Sequence, residues 1–303
     1  MHLFVSAVLL VLCSPFIVAE VVESFSTCSS MFFKEEPPEI KGVLEHSTSQ
    51  DNNRYKLICQ KYEGEYRYAT LYDISAKIPL FSAYKFTAVN KNPPHIPWMI
   101  EPQLNTLDGS MSDPGENQAA DRDYWKQKKQ EWERGHLFPN GHAPDEITAE
   151  STYTLTNTVP QNTKFNKGSW RSMEQSVRLF METNCRDENN PDDILAYVLT
   201  GAVPGDKRLN NRVNIPSHMW TVFCCFNPKT LFWESKAHWA ENKDEKNPIP
   251  IPDKTLGILE EFLGNKFKQS SLFSRDCNQF FDVKDYHPNP WFLSQFQRHF
   301  VHG

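Results

Sequence analysis

A single α+β domain stapled by disulfides is the fold class this sequence predicts, on three observations. Alternating strand-like runs and amphipathic helical runs are interleaved along one chain without an internal repeat or low-complexity tract. Apolar residues make up 39% of the 303 and aromatics 13%, enough for a core of ordinary size and too many for a disordered chain. Six cysteines remain once the apolar leader is set aside, and their spacing suits disulfides.

Leu3 to Ala19 form an uncharged apolar run followed at once by the polar "EVVESFSTCSS", so residues 1–19 are expected to be a secretory signal peptide. Residues 20–303 are then expected to form one domain with short terminal extensions, secreted and without a membrane span. The Pro-rich points "EEPPEI", "NKNPPHIPW" and "NPIPIPDK" punctuate loops within it. "YRYATLYDISAKIPLFSAYKF" predicts two strands around a turn at Ser75 to Lys77, and the β-branched "STYTLTN" predicts a short strand. "DILAYVLTGAVP" and "MWTVFCCF" predict buried strands.

The clearest helix is predicted to begin near Asn166 and run through "KGSWRSMEQSVRLFMET". At about 100° per residue, Trp170, Met173, Val177, Phe180 and Met181 form one apolar stripe. Asn166, at about 320° on that wheel, and Glu174, at about 40°, face inward with them. Polar groups turned toward a core need partners, so this helix is expected to hold a site. Further helices are predicted at "KTLGILEEFLGNKF" and "WFLSQFQRHF".

Cys28, Cys59, Cys185, Cys224, Cys225 and Cys277 include no C-x-x-C pair, which speaks against zinc, and six cysteines leave the pairing open. The net charge of −6 excludes a broad basic field of the kind that grips nucleic acid. Any such role must rest on local clusters: Lys126, Lys128, Lys129 and Arg134, then Lys164, Lys167 and Arg171.

"WERGHLFPNGH" carries the chemistry. Arg134 and His136 stand two apart, so an extended backbone projects both from one side, and Gly135 between them permits a close approach. A histidine serves as a base near neutral pH, an arginine as a cation for an anionic transition state, and Asn or Glu as oxygen donors for a hard metal. "TYTLTN" is expected to pair antiparallel with "RGHL", with the helix from Asn166 packed across the pair.

"ERGHL", "TLTNTVPQNTKFNKGSW" and "MEQ" resemble the DNA/RNA non-specific endonuclease family, whose ββα-metal site uses a D-R-G-H motif and an N-x-x-P-Q-x-x-x-x-N-x-G-x-W segment. The intervals of 21 residues from His136 to Asn157, 9 from Asn157 to Asn166 and 8 from Asn166 to Glu174 match as well. The resemblance implies a central antiparallel sheet flanked by helices. It also implies a secreted endonuclease that hydrolyses phosphodiester bonds of DNA or RNA with little sequence preference, using Mg²⁺ or another divalent ion such as Mn²⁺. In that scheme His136 is the general base, Asn166 the direct ligand of a largely hydrated metal ion, and Glu174 holds the metal's waters. Arg134 neutralises charge on the phosphate, and Asn157 positions the site by hydrogen bonds.

Two departures from the pattern stand out: Glu133 replaces the usual aspartate, and residues 126–132, "KQKKQEW", read as an insertion upstream of the motif. His142 is expected to be an ordinary solvated or capped side chain without a role. Glu174 has a plainer alternative, a helix-surface pair with Arg178 at i+4. The competing functional readings are a catalytically silent relative acting as an extracellular binding module, which the acidic charge favours slightly, and a lipid or nucleotide phosphodiesterase, which requires a closed pocket.

Overall fold

The computed structural model describes residues 20–90, 94–104, 116–125 and 131–278. The expected signal segment, Lys126, Lys128, Lys129 and the helix expected at "WFLSQFQRHF" lie outside them. Among the described residues no helix is long and apolar enough to cross a membrane.

In chain order the main strands are β1 (Glu20–Val22), β2 (Tyr55–Tyr62), β3 (Glu65–Asp73), β4 (Ile78–Phe86), β5 (Trp132–His136), β6 (Thr158–Asn162), β7 (Ala196–Val203), β8 (His218–Asn227) and β9 (Phe232–Glu241). Seven of them form one antiparallel sheet in the order β1-β2-β3-β4-β7-β8-β9, and β5 and β6 form a separate two-stranded ribbon. The helices are α1 (Asp121–Trp125), α2 (Glu146–Ser151), α3 (Arg171–Asn184) and α4 (Leu256–Phe267). The fold is thus α+β, with a central antiparallel sheet flanked by helices.

Strand alternation gives the sheet two buried faces. Leu57, Leu71, Phe81, Val222 and Cys224 pack on one face against Phe25, Phe33 and α4. Tyr84, Phe86, Val198, Phe223 and Cys225 pack on the other against Phe138, Val159 and the α3 stripe of Trp170, Met173, Val177 and Met181. The same alternation accounts for adjacent cysteines: Cys224 pairs with Cys277 across one face, and Cys225 pairs with Cys185 across the other. Cys28–Cys59 is the third disulfide. Because Cys185 ends α3, the Cys185–Cys225 bridge ties that helix to β8.

The turn expected at Ser75 to Lys77 joins β3 to β4, and the helix expected at "KTLGILEEFLGNKF" is α4. "STYTLTN" is not a strand. Ser151, Thr152 and Thr154 each donate a hydroxyl hydrogen bond to the carbonyl three residues earlier, which holds the backbone in turns, and Leu155–Asn157 close a 3₁₀ turn. The strand that pairs with "WERGH" starts one residue later, as "TVPQN".

Candidate active site

The ribbon and α3 meet on the second face of the sheet. Antiparallel pairing runs from Trp132 opposite Asn162 to His136 opposite Thr158, and Arg134 and His136 emerge on the same side, as a two-residue spacing requires. A Cβ on Gly135 would lie 2.1 Å from Gln161 Oε1, so what closes on the glycine is the Gln161 side chain across the ribbon.

Asn162 ends β6 and caps the helical segment, its Oδ1 accepting from the backbone N–H of Lys164 and Phe165. Thr163–Phe165 make one α-turn, and Asn166–Trp170 make a wider π-type turn with Gly168 at φ −104°, ψ −108°. Glu245, from the segment after β9, fills this break: its Oε1 accepts from Ser169 N at 2.8 Å and its Oε2 from Ser169 Oγ at 2.6 Å. The helical segment therefore begins at Thr163, and the extra residue of the π turn moves Asn166 out of the apolar stripe to its margin, where it is half-buried like Glu174.

Arg134, His136, Asn166 and Glu174 line one cleft of about 430 Å³, with Lys167, Arg171 and Arg178 on its rim. A larger hollow of about 730 Å³ at the Trp132–Asn162 end of the ribbon carries no histidine, and Lys164 lies there, paired with Asp244. The His136 ring sits between Trp98 and Tyr153, at centroid distances of 5.0 and 5.1 Å. Burial lowers its pKa to about 4, and the neighbouring Arg134 cation acts in the same direction, so the imidazole is neutral at pH 7. Its Nε2 is buried without a hydrogen-bond partner among the described residues. Arg134 is held by Asp121, Nη1 to Oδ1 2.8 Å, and lies against the rings of Trp98 and Tyr124.

Glu133 reaches the helix: its Oε2 accepts from Asn166 Nδ2 at 3.3 Å and its Oε1 from Lys167 Nζ at 2.5 Å. Donation by Nδ2 fixes which end of the Asn166 amide is which and leaves Oδ1 as its acceptor. Burial pushes the Glu174 carboxyl up to about 8, with the Trp170 indole and then Arg171 pulling the other way. No ion pair joins Glu174 to Arg178 among the described residues. Those residues hold no group of three His, Cys, Asp or Glu suited to a metal. An amide oxygen and one carboxyl fit a hard cation that keeps most of its waters, as Mg²⁺ does, and not an ion caged by protein.

Asn157 does not line the cleft. It is fully buried, with Oδ1 accepting from Phe138 N at 3.0 Å and Ser82 Oγ at 2.9 Å, and Nδ2 donating to Phe138 O at 3.0 Å and Thr152 O at 3.1 Å. It anchors the chain two residues past His136 to the sheet. His142 is a correction to the sequence expectation, being buried rather than solvated. Its Nε2 donates to the Glu174 carbonyl at 3.2 Å, which leaves Nδ1 to accept from the Tyr84 hydroxyl at 2.9 Å, so the ring bridges β4 and α3. Burial lowers its pKa to about 4.

Sequence reasoning missed Trp98, Asp121, Tyr153 and Glu245. Asp121 starts the short helix α1, Trp98, Tyr153 and Glu245 lie in irregular segments, and no local period marks any of them.

A sequence model of the DNA/RNA non-specific endonuclease family matches residues 51–250. The chain is similar to the human Endonuclease domain-containing 1 protein, 27% identical over 225 residues that cover 70% of this chain and 41% of that protein. It is likewise 27% identical over 270 residues to the mouse (Mus musculus) protein of the same name, covering 84% of this chain and 48% of that one. The chain thus spans less than half the length of the curated relatives it matches. A chain of the crystal structure of the EndoG/EndoGI complex superimposes with a TM-score of 0.50 at 18% identity, over 68% of this chain and 82% of that one, a likeness of fold.

Proposed function

Because the chain belongs to the DNA/RNA non-specific endonuclease family, we propose that it is an extracellular, divalent-metal-dependent endonuclease acting on DNA or RNA with little sequence preference. The observation that carries this reading is the convergence of Arg134 and His136 from the ribbon with Asn166 and Glu174 from the helix on one cleft.

His136 enters the reaction neutral and takes a proton from the attacking water. The arriving phosphate, an anion beside the ring, raises its proton affinity and offsets part of the lowering imposed by burial and Arg134. Arg134, with its guanidinium oriented by Asp121, faces the negative charge carried by the phosphate oxygens in the transition state. Asn166 Oδ1 and the Glu174 carboxyl are the groups that would hold Mg²⁺ or Mn²⁺ and its waters. Such an ion, when bound, supplies charge neutralisation at the phosphate oxygens. Asn157 acts by holding the segment that carries His136. Contact with backbone phosphates, in place of base edges, supports the low sequence preference. Three disulfides support an oxidising, extracellular setting.

Nicking of supercoiled plasmid and cutting of a single-stranded RNA with Mg²⁺, beside EDTA and a His136→Ala control, test the reading. Metal-dependent cutting of either substrate, lost in the control, is expected. Intact substrates from folded, disulfide-bonded protein would reject catalysis in favour of a binding role.

A further inference from the structure

Beside the cleft, on the far side of Arg134, lies a hollow of about 560 Å³ lined by Trp98, Tyr124, Trp125, Trp132, Glu133 and Arg134. Four of its six lining residues are aromatic. Trp125, at the end of α1, is 69% exposed. A lone exposed apolar side chain needs no account, but a tryptophan standing at a shared hollow with three further aromatics marks a binding surface.

The hollow and the cleft share one wall. Arg134 lines both, and its guanidinium lies 5.2 Å from the Trp98 ring and 5.4 Å from the Tyr124 ring. Trp98 in turn touches the His136 ring. A phosphate held at Arg134 and His136 therefore has the hollow within the span of one nucleotide. Three of the acidic groups nearby are occupied, Asp121 by Arg134, Glu133 by Lys167 and Asp123 by Arg212, so none of these repels an anionic strand at full strength.

We infer that this hollow is a base-stacking subsite, which takes an unpaired nucleobase flanking the phosphate bound at Arg134 and His136. The inference rests on the nuclease reading and narrows its substrate class to single strands and unpaired segments, because a duplex keeps its bases stacked inside. Stacking on aromatic faces and on an arginine plane accepts any base, which agrees with low sequence preference.

The test uses full-length His136→Ala protein and labelled single strands of about 12 nucleotides, read by fluorescence anisotropy. One ligand is an ordinary single strand, the second an abasic sugar-phosphate strand of equal length and charge, the third a blunt duplex. The ordinary strand is expected to bind about 5-fold or more tightly than the abasic one. Trp125→Ala should erase that ratio, and Trp125→Phe should keep most of it. Equal binding of ordinary and abasic strands, tighter binding of the duplex than of the single strand, or a ratio untouched by Trp125→Ala overturns the inference. Plasmid nicking by the unmodified protein is read separately. Cutting without base-dependent binding removes the subsite and leaves the nuclease; base-dependent binding without cutting keeps the subsite and removes the catalysis.

Discussion

Replacing Asn157 by alanine separates a structural anchor from a chemical group. The side chain makes four hydrogen bonds inside the protein, and its removal strands the Phe138 N–H, the Phe138 carbonyl and the Thr152 carbonyl, all buried. Ser82 is less affected, because its hydroxyl keeps Thr70 at 3.0 Å. A buried polar group left without a partner costs about 1–3 kcal/mol, so three of them, with some relief from relaxation, predict a loss of about 3–5 kcal/mol. That is a large share of the stability of an ordinary domain. Equilibrium unfolding in urea reads it as a lower midpoint with an unchanged slope. Asn157→Asp gives a second reading. Its carboxylate faces two carbonyls, so its folded pKa must rise above the usual aspartate value, and the variant should recover stability as pH falls and lose it as pH rises. An Asn157→Ala protein of unchanged stability that has lost cutting activity would refute this account and make Asn157 a participant in the chemistry.

Two further outcomes follow from the buried ionisable groups. Because burial and Arg134 hold His136 near 4, the acid limb of log kcat/KM should lie well below the ordinary histidine value of about 6.5, and Arg134→Gln should move its midpoint upward while lowering the plateau; a limb near 6.5 that ignores Arg134 counts against the assignment of His136 as base. Glu101 is fully buried, neither carboxyl oxygen has a well-formed hydrogen bond among the described residues, and burial raises its pKa to about 8 against a weaker opposing pull from the Gln103 backbone. The folded state then holds a proton the unfolded state lacks, so stability is full below about pH 4.5 and declines as pH rises toward 8. Glu101→Gln should therefore stabilise the protein by less than about 1 kcal/mol at pH 5 and by up to about 3 kcal/mol at pH 7, and a thermal midpoint gain independent of pH would contradict it.

Local signals were legible where one element decides the outcome. Alternation placed β3 and β4, and Trp170, Met173, Val177 and Met181 of the predicted stripe are buried, with Phe180 half-buried at its edge. The short interval from Arg134 to His136 fixed their common side as soon as the backbone was extended. Misreadings arose where side chains compete with the ladder. Serine and threonine look like strand formers in "STYTLTN", yet their hydroxyls bind the backbone three residues back and turn it. His142 was misjudged because nothing local reveals that Tyr84 and α3 enclose it. The same holds for Glu133, whose partners Asn166 and Lys167 lie more than thirty residues away, so the sequence marks it only as a departure from a motif and not as the carboxylate that orients the Asn166 amide.

The π turn bears most directly on whether Asn166 and Glu174 can serve one ion. In an unbroken α-helix eight residues rotate the chain so that the two side chains stand about 80° apart and about 12 Å along the axis. One extra residue taken up in a π turn leaves seven effective steps, which brings them to about 20° apart and about 10 Å along the axis. Phe165 provides the check. On an unbroken wheel it falls at about 220°, roughly 60° outside the apolar stripe, whereas one inserted residue turns it to about 320°, within the stripe, and it is buried. The wide turn needs a residue whose backbone leaves helical geometry, and Gly168 does so, while the N–H of Ser169 beside the break is taken by Glu245. A Cβ at Gly168 would meet the end of that same glutamate at 2.2 Å. Glycine, glutamate and π turn therefore act as one device, which sets the Asn166 amide and the Glu174 carboxyl in line along the margin of the helix.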